Sequence, residues 1–538
     1  MGKTKKSVSC QKNRKLDNAD EISSQGGEKK VNVLKKVNLS AKVAFFTALV
    51  AGLFSQGMGM FNKFSWHDDV SAMFHVGATF KSGRWMLGLL SELESWLYGG
   101  TPVSLPAFNG FFSLLLIALS AALITSILKI HRPFFAGTIG ALMVVFPVIT
   151  GFFGYMFTAH YYCFSLFLTV AGVYLICGKR WWMWIAGALL IGNAIGIYQA
   201  FLPLGASLLL FRLILFATEE GNRPKELIKT AAITLLALVL AMGFYFGMNR
   251  LFLQLRHVKL SSYQGISDMA NLTLSDILDR VSYAYTDFLM PDEYAKFSMY
   301  PLTIRNLYTF FLIAAVLLSL ERVIRCFLRK RIFSGCCTAV LLFLIPAAVN
   351  LIFVMVDLNN IHSLMTYGQI GLFLWVTCLA DRLEWKFGKI ALVAREAVAI
   401  FLVLLCVMYG RYDNECYLRA ALTQQEAISF YTTLITRIQS TEGYHESYPV
   451  VFVRNGWYSN NNLFLPEELE HITQIPYLDL NSYLNDYAFK SFIKYWCGYS
   501  PEYKSDKEYR NNPDILSMPF YPNEGSIRII DECVIVHF

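Results

Sequence analysis

Apolar runs long enough to cross a bilayer recur along this chain, and such a chain can satisfy its backbone polar groups in lipid only by folding into spanning helices. At about 20 apolar residues per crossing, the runs fall at roughly 42–61, 106–128, 134–151, 160–178, 181–198, 201–217, 230–252, 306–320, 336–356, 364–380 and 391–410. The expected fold is an α-helical polytopic membrane protein with about eleven transmembrane helices. An odd number puts the termini on opposite sides. The composition agrees: 55% of residues are hydrophobic, 15% aromatic and only 16% charged, with a mean hydropathy of +0.42, which excludes an ordinary soluble domain.

Orientation follows from the loops. The formal net charge of +8 does not point to nucleic acid, because the basic residues sit in short clusters between apolar runs. Connections after even-numbered runs carry Lys129 and Arg132, Lys179 and Arg180, Arg223, Lys225 and Lys229, then Arg322 to Arg331, then Arg382, Lys386 and Lys389. The opposite loops at 151–159, 198–200 and 357–363 hold no lysine or arginine. The positive-inside rule makes the first set cytoplasmic and predicts a multi-pass plasma-membrane protein with a cytoplasmic N-terminus and an extracytoplasmic C-terminus. Residues 1–40 read as a disordered basic cytoplasmic tail, and the first run as an uncleaved span.

Three larger pieces then face outward: Asn62–Leu105, roughly Gln254–Arg305, and everything after Gly410. In the first, Val70, Met73, Phe74, Gly77 and Phe80 recur at the spacing of a short helix lying on the membrane. The second contains the amphipathic stretch LTLSDILDRVSYAYTDFL. The membrane part is thus 41–410, with outer loops 62–105 and 254–305, and residues 411–538 form a small extracytoplasmic α/β domain. Its expected parts are a helix over Glu415–Gln439, a strand in Tyr448–Arg454 and a β-branched closing run. Cys416, Cys497 and Cys533 leave room for one disulfide there.

The chemistry concentrates in NKFSWHDDVSAMFHVGATFKSGRW, Asn62 to Trp85. Asp68 and Asp69 lie beside His67, His75 and Arg84 at the outer surface, where ionisable groups next to apolar ones tend to be functional. Transfer of a sugar to a hydroxyl needs a carboxylate near the attacking oxygen as general base, and Asp68 and Asp69 are the catalytic candidates. The plainer alternative is a capping box, Ser65 to Asp68, which accounts for one aspartate of the pair. Arg84 can bind a phosphate through charge-assisted hydrogen bonds, and Trp85 offers a flat face to a sugar; both are also common interfacial anchors. His67, His160, Tyr198, Gln199, Arg256 and His362 are further substrate-binding candidates at the outer ends of spans, each weighed against a plain interfacial role. No cysteine pair or histidine motif indicates a metal, although a carboxylate pair is compatible with a divalent ion, and no other cofactor is implied. Walker A, Rossmann and nucleophile-elbow motifs are absent, and the cytoplasmic loops are too short for a nucleotide-sugar domain. A donor would therefore be lipid-borne and reached from outside.

The acidic pair directly after the first run, the GRW at Gly83–Trp85, the GIYQAF at Gly196–Phe201 and the HSLMTYG at His362–Gly368 together resemble the GtrII family of glucosyltransferases, over about 40 to 410. The resemblance implies a GT-C architecture, a catalytic aspartate in the first outer loop (Asp68 or Asp69), Arg84 as the motif arginine, and a polyprenyl-phosphate sugar donor. Family members are thought to move glucose from undecaprenyl-phosphate glucose to O-antigen or a comparable surface glycan. Two other readings stay open. A transporter or flippase for a lipid-linked glycan would need ionisable groups or broken helices near mid-membrane in repeated halves. A polysaccharide polymerase or ligase would be organised around the late loop 254–305.

Overall fold

The computed structural model describes residues 38–65, 68–261, 273–290, 302–383, 388–453, 467–469, 472 and 488–538. His67 lies outside the described residues. In chain order the helices are α1 (Leu39–Phe61), α2 (Asp68–Ser71), α3 (Trp85–Tyr98), α4 (Pro106–Ile127), α5 (Pro133–Val145), α6 (Val148–Gly154), α7 (Met156–Ile176), α8 (Trp181–Ile197), α9 (Leu202–Thr218), α10 (Pro224–Leu255), α11 (Leu274–Leu289), α12 (Leu302–Leu328), α13 (Ile332–Phe343), α14 (Ile345–Val349), α15 (Leu351–Met355), α16 (Gly371–Asp381), α17 (Lys389–Gln439), α18 (Phe489–Trp496) and α19 (Pro513–Leu516).

Among the described residues, seven helices are long and apolar enough to cross a membrane: α1, α4, α7, α9 with the 3-10 turn before it, α10, α12 and α17. An eighth crossing arises if α5 and α6 count as one span, bent by 41°. The bend falls at Phe146–Pro147, where proline removes a donor and crowds the preceding turn. Among the described residues the number of such helices does not confirm the expected count of about eleven spans. The run at 181–198 gives the shorter α8, the run at 336–356 breaks into α13, α14 and α15, and the run at 364–380 opens in 3-10 turns before the short α16. Apolar content marks a run as lipid-compatible but does not register these breaks, at Leu344–Ile345, just before Pro346, and at Asn350.

The helices pack through small residues. Around Gly140 of α5, a Cβ would stand 2.2 Å from the Ala44 carbonyl oxygen of α1, so only glycine allows the two backbones this close. Elsewhere large apolar side chains point outward: Leu235, Leu236, Val239 and Phe246 on α10, and Ile400, Val403 and Val407 on α17 are exposed. An exposed apolar belt of this kind is what lipid covers.

α17 differs from expectation. The last apolar run and the helix expected over Glu415–Gln439 are one helix of 51 residues that passes Gly410 without interruption. Its C-terminal half carries a three-stranded sheet, β1 (Val450–Val453), β2 (Ile527–Ile530) and β3 (Cys533–His537), in the order β1-β3-β2. β1 runs parallel to β3 and β2 antiparallel to it. The β-branched closing run thus makes a tight hairpin whose two turn residues, Asp531 and Glu532, both have positive φ (50° and 55°), as a primed two-residue turn requires. Phe430 of α17 packs on Phe538 and Tyr521, and Tyr431 on Phe492 of α18. Cys416, Cys497 and Cys533 are free thiols, so the disulfide allowed by their number is not formed. Two of them are buried apart, Cys416 inside the long helix and Cys533 in the central strand.

Candidate active site

The loop after α1 is not the continuous surface helix its periodicity suggests. It makes one turn, α2, and Gly77 then takes a left-handed backbone (φ 70°) that ends any helical path. The two aspartates of α2 face different surroundings. Asp69 is fully buried, and its carboxylate accepts from Ser65 Oγ (2.9 Å), Ser104 Oγ (2.6 Å), the Phe157 amide (3.2 Å) and the Lys63 ammonium. Lys63 also donates to Ser104 Oγ at 2.7 Å. Ser65 therefore braces Asp69 rather than closing the expected capping box on Asp68. Asp68 is half-buried, and its charge is one of those that act on Arg84.

Arg84 stands just before α3. The preceding residue, Gly83, has φ 72°, and a Cβ there would lie 2.7 Å from the Tyr245 hydroxyl; both facts require glycine. The guanidinium donates from Nη1 to the Tyr162 hydroxyl (3.0 Å) and lies 5.8 Å from the Tyr162 ring centre and 5.4 Å from that of Tyr198. Those two rings are stacked, with centroids 4.1 Å apart. Burial works against the charge on Arg84, but Tyr162 and Tyr198, with Asp68 and Tyr245, outweigh it and raise its pKa above the ordinary value. Its Nε is buried with no hydrogen-bond partner, as is Asn249 Oδ1, which lies beside Gly83. Unsatisfied buried polar atoms are rare in finished protein interiors and need an explanation. Gln199 Nε2 donates to the Tyr245 hydroxyl (3.2 Å), which donates to the Gly83 carbonyl (3.2 Å), so Gln199 supports this wall.

The remaining candidates divide. Tyr198 joins the site by its ring, and its hydroxyl donates to the Leu364 carbonyl at 3.3 Å. His362 is half-buried in the same segment, at the position just before the 3-10 turn Ser363–Met365. Leu364 packs with Ala72, Tyr155 and Phe157, so the segment leans on the aspartate loop. His160 lies 3.3 Å from Glu94, which also accepts from the Tyr161 hydroxyl. Burial pushes the Glu94 carboxyl up, but the hydrogen bonds from His160 and Tyr161 prevail and hold it below its usual value. Arg256 sits farther out, paired with Glu92 at 2.5 Å and over the Phe80 ring. Trp85 is buried, stacked on Phe252 and pressed against Gly196, so its face is used in packing. Among the described residues no three His, Cys, Asp or Glu side chains converge as metal ligands.

The aspartate loop, Arg84, the segment around Tyr198 and the segment around Leu364 therefore meet at one end of the membrane part. The family profile described as Glucosyl transferase GtrII matches residues 57–373, more than half of the chain and all of these segments. The chain belongs to the GtrII glucosyl transferase family. No curated protein and no solved structure matches it. In this GtrII member the family match ends inside α16, so α17 and the sheet lie outside it, yet they are joined to the site. Gln424 of α17 accepts from the Ser65 amide (3.0 Å) and donates to the Lys63 carbonyl (3.1 Å), and Tyr495 of α18 packs on Phe74.

Several members of this GtrII site carry no signal in the sequence. Lys63, Ser104 and Tyr245 are individually ordinary and gain meaning only through long-range packing. Tyr162 stands two residues after the candidate His160, and that nearness was the available clue. A second buried polar group sits deeper: Asp413 of α17 accepts from Ser55 Oγ and Gln56 Nε2, and Gln56 Oε1 accepts from the Tyr417 hydroxyl at 2.6 Å. It lies just beyond the last apolar run, where hydropathy alone treats it as loop.

Proposed function

We propose that this glucosyl transferase moves a hexose, most simply glucose, from a polyprenyl-phosphate donor to a cell-surface glycan on the extracytoplasmic side, with Asp68 as general base. The observation that carries the reading is a cation held in an aromatic wall, Arg84, whose Nε has no protein partner and on which the charge of the half-buried carboxylate Asp68 acts. In the step itself the acceptor hydroxyl oxygen attacks the sugar's anomeric carbon while its proton passes to Asp68. The bond from that carbon to the phosphate oxygen breaks, and polyprenyl phosphate leaves with the electron pair. Arg84 offsets the negative charge that grows on the leaving phosphate, the kind of preorganised stabilisation that counts most in a water-poor site.

Asp69 has a different part in this reading. With four donors on its carboxylate it holds the turn that presents Asp68, as a positioning residue. Tyr198, Gln199, His160 and His362 border the donor sugar or the acceptor, and Arg256 serves the rim. Trp85 supports the wall from behind. The extracytoplasmic sheet and α18, which reach the aspartate loop through Gln424 and Tyr495, are suited to acceptor recognition. The orientation rests on the loop charges, which put the aspartate loop outside.

The donor class is tested with membranes carrying the protein, given radiolabelled polyprenyl-phosphate glucose or UDP-glucose in the presence of purified surface glycan. Label passing to the glycan from the lipid donor alone supports the reading. Transfer from UDP-glucose in membranes stripped of polyprenyl phosphate contradicts it.

A further inference from the structure

At the end of the membrane part opposite Asp68, the ends of several helices enclose a cavity of about 480 Å³. Six arginines line it: Arg132, Arg322, Arg325, Arg329, Arg331 and Arg382. Asp381, Glu219 and Glu220 face them. Among the described residues the carboxylates are fewer than the cations. Arg329 pairs with Glu220, Lys129 takes Glu219 at 2.5 Å, and Glu321 is shared by Arg325 and Arg322. Asp381 is largely consumed by the main-chain amides of His131 and Arg132, both at 2.9 Å.

Three of the arginines are held by neutral groups instead. Arg132 donates to the Leu383 carbonyl (3.1 Å), Arg331 to those of Ala217 (3.0 Å) and Thr218 (3.2 Å), and Arg382 to those of Cys378 (2.9 Å) and Leu128 (2.7 Å). Carbonyls at helix ends offset only part of a full charge. Among the described residues, with Lys129 and Arg212, which also reach Glu219, eight cations stand against the four carboxylates Glu219, Glu220, Glu321 and Asp381. At the rim, Lys129 (φ 52°) and Lys330 (φ 58°) occupy left-handed positions where glycine would be unstrained, so each reversal keeps a cation at a steric cost.

Loop arginines that only report topology are dispersed and point into water. Here they are drawn together in a cavity, with Arg322 and Arg325 mostly buried. Beside Arg329 and Arg331, the side chains of Phe327, Leu328, Ile332 and Phe333 are exposed and make an apolar shoulder. A guanidinium fork matches phosphate oxygens two at a time, and an apolar shoulder next to it suits acyl chains. We propose that this cavity binds the phosphate of an anionic phospholipid headgroup at the face opposite the candidate active site. The ligand chemistry is phosphate; the shoulder favours a lipid over a soluble phosphate as its source.

The test uses the full-length protein in neutral detergent and follows its thermal unfolding as phosphatidylglycerol, phosphatidylcholine or inorganic phosphate is added. The variants are R325Q/R329Q, the single R329Q in case the double variant does not fold, and K179Q/R180Q as a charge control away from the cavity. Phosphatidylglycerol is expected to raise the unfolding midpoint of wild type and of K179Q/R180Q, with phosphatidylcholine giving no rise. R325Q/R329Q is expected to need about tenfold more phosphatidylglycerol for half the effect, and R329Q an intermediate amount. An equal response in the arginine variants and wild type, or an equal loss in K179Q/R180Q, overturns the site. The same rise with inorganic phosphate alone overturns the lipid source and assigns the cavity to a soluble phosphate.

Discussion

Two adjacent carboxylates in one turn meet different surroundings. Asp69 is engaged by Lys63, Ser65, Ser104 and the Phe157 amide, and Asp68 is half-buried with its charge acting on Arg84. Arg84 in turn depends on the guanidinium shape. Lysine would keep the charge but not the Tyr162 hydrogen bond together with the contact across the stacked rings. Arg84→Lys is expected to lower transfer by about 10- to 100-fold, the worth of one charge-assisted hydrogen bond, with the unfolding midpoint close to wild type. Glu94 supplies a pH signature. Its pKa is lowered on folding by His160 and Tyr161, so its contribution to stability is present above the unfolded carboxyl value and is lost as pH falls through the lower folded value. Glu94→Gln is therefore expected to flatten the drop in unfolding midpoint between about pH 5 and about pH 3. Thermal scans across that range check it.

At the scale of elements, α17 is the member that joins the two halves of the molecule. It enters among the spans, passes Asp413, and 11 residues later places Gln424 against the loop that follows α1. Gln424 satisfies a buried amide at Ser65 and a carbonyl at Lys63, so truncating it leaves a donor without a partner next to Asp69. Gln424→Ala is expected to destabilise the protein by about 1–3 kcal/mol, and to lower transfer as the turn carrying Asp68 loosens. Denaturation in detergent and the transfer assay check the two parts separately. The continuity of α17 was hidden in the sequence, because Gly410 and the polar residues after it look like a boundary. Helix propensity is a weak prior, and here packing of Tyr412, Cys416, Tyr417 and Ala420 carries the helix through. The bend at Pro147 and the left-handed glycines at 77 and 83 are the converse: local chemistry that interrupts elements periodicity would have continued.

For the whole molecule, the legible part was the recurrence of apolar runs, which marked most of the helices long enough to cross a membrane. Asp68, Arg84, Tyr198 and the segment around His362 could be named from sequence because each sits at a span end beside apolar residues. Their convergence could not, since it is made by Leu364 reaching Tyr198 and by Tyr162 reaching Arg84 across the bundle. Nor could the division between Asp68 and Asp69, which depends on Lys63 and Ser104 arriving from either side. The central claim is that division of labour in a GtrII glucosyl transferase, and it is tested most directly by comparing transfer from polyprenyl-phosphate glucose in membranes of wild type, Asp68→Asn and Asp69→Asn at matched folded protein. The account predicts that Asp68→Asn loses about 10²- to 10⁴-fold in transfer at an unchanged unfolding midpoint, the scale of a lost general base, while Asp69→Asn lowers the midpoint and keeps measurable transfer per folded molecule. Wild-type transfer by Asp68→Asn would contradict it.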